Sequence, residues 1–169
     1  QRQMCIRDRI WGFVTDGFYS TDEEAAGVDN SDIWGGKWLA GDVRYKNLNG
    51  DKTADGKDII SKGHSKLQDP GDRKIIGNNT ARYNYGISLS AEYKNFDFSC
   101  LMQGVGKRDL MLGGAYFWGF TDEWRTPTTE QLDYWTPDNP NAYYPRQRFG
   151  GGGNFQSQTK YLQNGAYMR

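Results

Sequence analysis

Between Arg82 and Asn95 apolar and polar residues alternate along the chain. Tyr83, Tyr85, Ile87, Leu89, Ala91 and Tyr93 fall on one side, and Asn84, Gly86, Ser88, Ser90, Glu92 and Lys94 on the other. Successive side chains of an extended strand point to opposite faces, so a strict period of two predicts a strand with one apolar and one wet face. A second run follows at once, with Phe96, Phe98, Cys100 and Met102 opposed by Asp97, Ser99, Leu101 and Gln103. Only Leu101 breaks the alternation. The intervening Lys94-Asn95 pair fits a two-residue hairpin turn, because Asn tolerates the positive φ such turns require.

Each run is about 11 residues long, the length a tilted strand needs to cross a bilayer, whereas strands of soluble sheets average about 5 to 6. A long hairpin of a soluble β-sandwich is the other reading. Tyr83 and Tyr93 favour the membrane, since transmembrane barrels place aromatic girdles at both interfaces. After Gly104-Val105-Gly106 the alternation dissolves into Lys107 to Gly153, rich in Trp, Tyr, Pro and Gly. Structureless connections of that length are rare inside compact domains but normal on the outer side of a barrel. Gly150 to Gly153 reads as a mobile tip or hinge. Tyr161 to Met168 reads as the approach to another strand. The fold class expected is all-β, part of a large antiparallel transmembrane barrel with long extracellular loops.

Composition sharpens this picture. Only 36% of the 169 residues are hydrophobic and mean hydropathy is -0.87, which supports a closed core poorly, yet aromatics reach 15% beside 22 glycines. Disordered chains are poor in rings, so this combination argues for strands and ordered loops. The formal net charge is zero, which gives no electrostatic reason to propose nucleic acid as a partner. No run of about 18 apolar residues encodes a transmembrane helix, which leaves a β-barrel open. Cys5 and Cys100 are the only cysteines, and no bridge between them is expected. Gln1 to Arg9 resemble a translated sequencing-adapter scar, so fold reasoning starts at Ile10 and both natural termini are expected to lie outside the chain.

The most specific chemical motif runs from Asn47 to Asp58. Asn47, Asn49, Asp51, Thr53, Asp55 and Asp58 place oxygen ligands in the order that a twelve-residue Ca²⁺ loop uses. Asn47 stands where Asp is usual, Lys52 where Gly makes the sharp turn, and Asp58 where a longer Glu is bidentate, so any Ca²⁺ binding is expected to be weak. A polar Asn-Gly turn with solvated acids is the other reading. The rings from Tyr116 to Tyr144 are expected mainly to pack the loop against its surroundings, with Trp118 and Trp124 as substrate-facing candidates. His64, the single histidine, has no catalytic partner at a recognisable spacing. Asp122 and Glu123 are adjacent, so on a strand they would point apart rather than act as the carboxylate pair of a glycosidase. No catalytic residue is assigned.

Taken in order, Ile10 to Glu24, Gly41-Asp42-Val43-Arg44-Tyr45-Lys46 leading into the Asn47 to Asp58 loop, Ile76-Gly77-Asn78, the hairpin, Gln103 to Gly106 with Arg108-Asp109, and Trp135 to Asn141 with Tyr144-Pro145-Arg146 resemble the C-terminal half of the SusC/RagA family of outer-membrane barrels. The resemblance covers nearly all of the chain after Arg9. It departs at Asn47, at Lys52, in a longer spacer around Gly63 to Asp72, and at Asn95 where the family often has Gly. The resemblance implies a TonB-dependent transporter of about 22 strands with a plugged lumen, a SusD-like lipoprotein as lid, glycans or peptides as substrate, and no enzymatic activity. A secreted carbohydrate-binding β-sandwich and a glycosidase fragment are the rivals. The first would have shorter strands, and the second needs a carboxylate pair.

Overall fold

The computed structural model describes residues 8–34, 37–64, 66, 68–122, 124–149 and 151–169. Strands predominate over helices, and every sheet among the described residues has two or three strands. In chain order the elements are β1 (Arg9–Phe13), β2 (Thr15–Phe18), α1 (Asp22–Ala26), β3 (Val28–Asp29), β4 (Val43–Tyr45), β5 (Asp58–Ile59), β6 (Arg73–Asn78), β7 (Arg82–Tyr93), β8 (Phe96–Lys107), β9 (Asp109–Met111), α2 (Ala115–Trp118), β10 (Leu162–Asn164) and β11 (Tyr167–Met168).

The alternating segments form the antiparallel hairpin β7–β8, closed by Lys94-Asn95 with Tyr93 opposite Phe96. Ile87 pairs with Met102, Leu89 with Cys100 and Ala91 with Phe98, so the apolar residues of both strands lie on one face. Ser88 faces Leu101, Ser90 faces Ser99 and Glu92 faces Asp97 on the other. The turn differs from expectation in one respect, for the left-handed residue is Lys94 (φ +55°) and not Asn95. Tyr83 is also left-handed (φ +56°), a local break in the strand opposite Gly106. Gly104 sits against the Tyr85 ring, where an added Cβ would come within 2.5 Å of the hydroxyl, so only glycine fits.

The approach to a further strand is present. β10 pairs with β9, and β11 pairs with β8 on the edge away from β7, giving the order β11-β8-β7. Arg169 continues this ladder, exchanging backbone hydrogen bonds of 2.8 and 2.9 Å with Gln103. The hairpin thus turns in two residues at one end, while the chain makes a long excursion at the other before returning to the same sheet.

That excursion does not stay structureless, because it folds against residues 9–78 as one ring-cored body. Phe13, Phe18, Ile33, Val43, Tyr45, Ile60, Trp118, Trp135, Ala142 and Tyr161 form its core. Low hydrophobic content is offset by ring size, since each aromatic side chain buries about 150–250 Å². Phe13 stacks on Tyr45 at 4.8 Å, and Tyr161 meets Trp118 edge-on at 4.9 Å. The Phe13 N–H donates to the Ser157 carbonyl at 2.9 Å, and the Tyr45 hydroxyl donates to the Gly153 carbonyl at 2.8 Å.

The glycine run is correspondingly not a mobile tip. Gly151, Gly152 and Gly153 are buried, and the rings of Trp34 and Trp38 occupy the space that Cβ atoms at Gly152 and Gly153 would need. Gly150 lies outside the described residues, as does Cys5. Cys100 carries a free thiol. Arg9 is already part of β1, paired with Asn78.

Candidate functional site

The Asn47 to Asp58 segment is organised by its own hydrogen bonds. Asn47 accepts from Gly50 N–H through Oδ1 at 2.6 Å and donates through Nδ2 to the Asp51 carbonyl at 2.7 Å. Thr53 N–H donates to the Lys57 carbonyl at 2.8 Å, and Thr53 Oγ1 accepts from Lys57 N–H at 3.1 Å. Lys52 and Asp58 stand opposite each other as a bridge, with an ion pair of 3.7 Å. Asn49, Asp51 and Asp55 are exposed. Among the described residues no three His, Cys, Asp or Glu side chains converge as a metal would require. The six residues lie along a hydrogen-bonded turn in this structure.

The base of this turn is held by Asp72, a residue the sequence pattern had left within a spacer. Its carboxylate is fully buried and accepts from Leu48 N–H (2.7 Å), Asn49 N–H (3.1 Å) and Ser61 N–H (2.7 Å). Asp42 plays the corresponding part in the body. It is 1% exposed, accepts from Leu39 N–H and Asn154 Nδ2 at 2.8 Å, and pairs with Arg148. Asn154 in turn accepts from Val43 N–H at 2.8 Å. These carboxylates fasten distant segments, since a buried charge survives only when paired and hydrogen-bonded.

The two tryptophans expected to face a ligand are placed differently. Trp118 is 5% exposed, enclosed by Phe117, Phe155 and Tyr161, and offers no open ring face. Trp124 is 93% exposed. Beside it in sequence, Arg125 lies over the Tyr116 ring at 5.8 Å and pairs with Asp122 at 3.3 Å. Asp122 is thus engaged with a cation, and Glu123 lies outside the described residues. His64 meets Asp69 through Nδ1 on the exposed surface, and this hydrogen bond holds the Asp69 carboxyl below its usual range.

Other shifts follow from burial. The Tyr45, Tyr161 and Tyr19 hydroxyls are all pushed upward by desolvation, and the Lys160 ammonium is pushed down. Lys160 rests 4.5 Å above the Phe18 ring and donates to the Ala142 carbonyl at 3.1 Å, which fits a structural cation within the aromatic body.

The feature with the clearest chemical meaning is the apolar face of the hairpin. Tyr85, Ile87, Leu89 and Phe98 are 40%, 48%, 51% and 60% exposed, with Tyr93 and Phe96 more open still at the turn. Fully burying one such side chain is worth about 1.5–3 kcal/mol, and about half of that gain is unrealised in water. Trp34, 77% exposed, is a further open ring that the sequence pattern did not single out. Its only signal was a Trp-Gly-Gly-Lys-Trp run. No helix among the described residues is long and apolar enough to cross a membrane, which says nothing of strands. No protein-family model matches the chain, and no curated protein matches it.

Proposed function

We propose that the chain forms part of the wall and outer loops of an outer-membrane β-barrel transporter of the SusC/RagA type. It takes up glycans or peptides with a SusD-like lipoprotein, draws energy through TonB, and performs no catalysis itself. The observation that carries this reading is the hairpin, whose strands have 12 residues each and whose apolar face is open along β7 and over the turn half of β8. Its two-residue turn at one end and long excursion at the other match the short periplasmic turns and long extracellular loops of such barrels. The order β11-β8-β7 extends the same antiparallel meander by a further strand.

In this arrangement Tyr85, Ile87, Leu89, Phe98 and Met102 meet lipid, and Ser88, Ser90, Glu92, Asp97 and Ser99 face the lumen. The ring-cored body stands at the excursion end of the hairpin, on the outer side of the membrane. A secreted carbohydrate-binding β-sandwich is the second reading, favoured by the body's closed core. Against it stands the hairpin, whose apolar face no second sheet covers among the described residues.

The test is expression of the chain without detergent, followed by size-exclusion chromatography and hydrogen exchange. The open edge of β7, the stretch of β8 that β11 leaves unpaired and the bare apolar row predict self-association that detergent or lipid relieves. A monodisperse detergent-free monomer with protected amides from Tyr83 to Met102 would refute the barrel reading in favour of the secreted module.

A further inference from the structure

A cleft of about 360 Å³ lies where the strap of residues 133–147 meets the segments around Ser20 and Ala40, with Ser20, Asp22, Tyr134, Pro137, Arg146 and Gln147 in its wall. That volume lies within the range of small-ligand sites. The wall is fixed by backbone bonds. Arg146 N–H donates to the Gly41 carbonyl at 2.9 Å, Gly41 N–H to the Tyr19 carbonyl at 2.8 Å, and Trp135 N–H to the Tyr144 carbonyl at 3.0 Å. Asp133 draws the strap closed, accepting from Asn139 Nδ2 and from Tyr143 N–H at 3.1 Å each. Gly41 is left-handed (φ +87°), and a Cβ there would collide with the Trp135 ring and come within 2.6 Å of Arg146 Cβ, so the strap rests directly on its backbone.

Arg146 leaves this strap exposed to solvent and, among the described residues, has neither an ion pair nor an acceptor for its guanidinium. Arg44, Arg125 and Arg148, by contrast, each pair with a carboxylate. The Ser20 hydroxyl and the Gln147 amide are likewise unpartnered among the described residues. Asp22, the acid in the cleft wall, accepts from Ala40 N–H through Oδ1 at 2.7 Å and makes no ion pair with Arg146. The cleft therefore presents accessible donors, one of them a fixed cation, beside the half-covered Tyr134 ring and Pro137.

The geometry points to a binding site for a small organic carboxylate, its charge on the Arg146 guanidinium and its apolar part against Tyr134 and Pro137. The planar guanidinium fork matches the two oxygens of a carboxylate, and the amide and hydroxyl of Gln147 and Ser20 can donate to the lone pairs left over. A dianionic phosphate fits less well, because it would meet a single cation and the Asp22 carboxylate in the same cleft. The site belongs to the ring-cored body and holds whether or not the hairpin spans a membrane.

The experiment is saturation-transfer NMR on the chain in a non-ionic detergent, with benzoate as probe and benzamide as its uncharged isostere. Protein-free micelles serve as the blank, and near-ultraviolet dichroism confirms the body in each variant. Benzoate should bind saturably and benzamide about tenfold more weakly, the scale of a lost charge-assisted hydrogen bond. Arg146→Gln should weaken benzoate binding by about the same factor. Arg146→Lys keeps the charge without the fork and should fall between the two. Asp22→Asn keeps the Oδ1 acceptor for Ala40 but removes the opposing charge, and should tighten binding. No saturable benzoate signal, benzamide bound equally well, or benzoate affinity unchanged in Arg146→Gln or not raised in Asp22→Asn would each overturn the site.

Discussion

The hairpin and the body are built from the same residues, rings and glycines, put to opposite use. In β7–β8 apolar residues, rings among them, occupy every second position and stay largely uncovered, so the order is local. In the body the rings come from positions scattered between Phe13 and Tyr161 and bury one another. Glycine differs in the same way. Gly104 makes room for the neighbouring Tyr85 ring within the hairpin, whereas Gly152 makes room for a tryptophan more than a hundred residues earlier. One region is organised by periodicity and the other by long-range closure, and their responses to substitution should separate accordingly.

The largest effect is expected at Asp42. Asp42→Ala leaves Arg148 and Asn154 without their shared carboxylate, and breaking a buried pair by removing one partner costs about 3–5 kcal/mol. Thermal melting followed by near-ultraviolet dichroism should show the aromatic body destabilised on that scale. Equal destabilisation by a surface control such as Asp55→Ala would deny Asp42 its fastening role. Next comes charge on the hairpin in a bilayer. Leu89→Arg should cost about 2–4 kcal/mol of membrane stability, and Ser88→Arg much less, because the proposed barrel places only the former in hydrocarbon. Denaturant unfolding from vesicles reads both, and similar losses would mean that the faces are not distinguished.

A smaller gain is expected at the turn. Lys94 holds a left-handed conformation that costs a side-chain-bearing residue about 1–2 kcal/mol, so Lys94→Gly should stabilise the hairpin by up to about 1 kcal/mol after glycine's entropy is counted. A lower hairpin stability, read by hydrogen exchange at Leu89 to Cys100, would contradict the turn geometry. Least of all should change on adding Ca²⁺. Any heat from the Asn47 to Asp58 loop should correspond to a dissociation constant no tighter than about 10⁻⁴ M and should vanish with Asp51→Ala plus Asp55→Ala. Heat unchanged by the double substitution would put the ion elsewhere.

The contrast also explains what the sequence discloses. The hairpin, its turn and the division of its side chains between two faces are legible because a period of two needs no knowledge of distant residues. Which turn residue takes positive φ was not legible, because Asn95 has the better propensity while the backbone places the strain on Lys94. The body was illegible because its fastenings join residues far apart, Tyr45 with Gly153 being 108 positions distant. For the same reason Trp118 carries no mark distinguishing it from Trp124, although one is enclosed and the other open. Asp72, after a Pro-Gly turn, looks like any solvated acid until the three amides that surround it are known.

The most direct test of the central claim is site-directed spin labelling of the chain in lipid bilayers, with single labels at Ile87 and Ser88, neighbours in sequence on opposite faces of β7. Collision with oxygen, which concentrates in hydrocarbon, should be high at residue 87 and low at residue 88, and collision with a water-soluble nickel complex should show the reverse. Because the side-chain period is two, a strand spanning the membrane has to show this inversion between adjacent positions. Equal accessibility at both positions would contradict the assignment of the hairpin to the membrane.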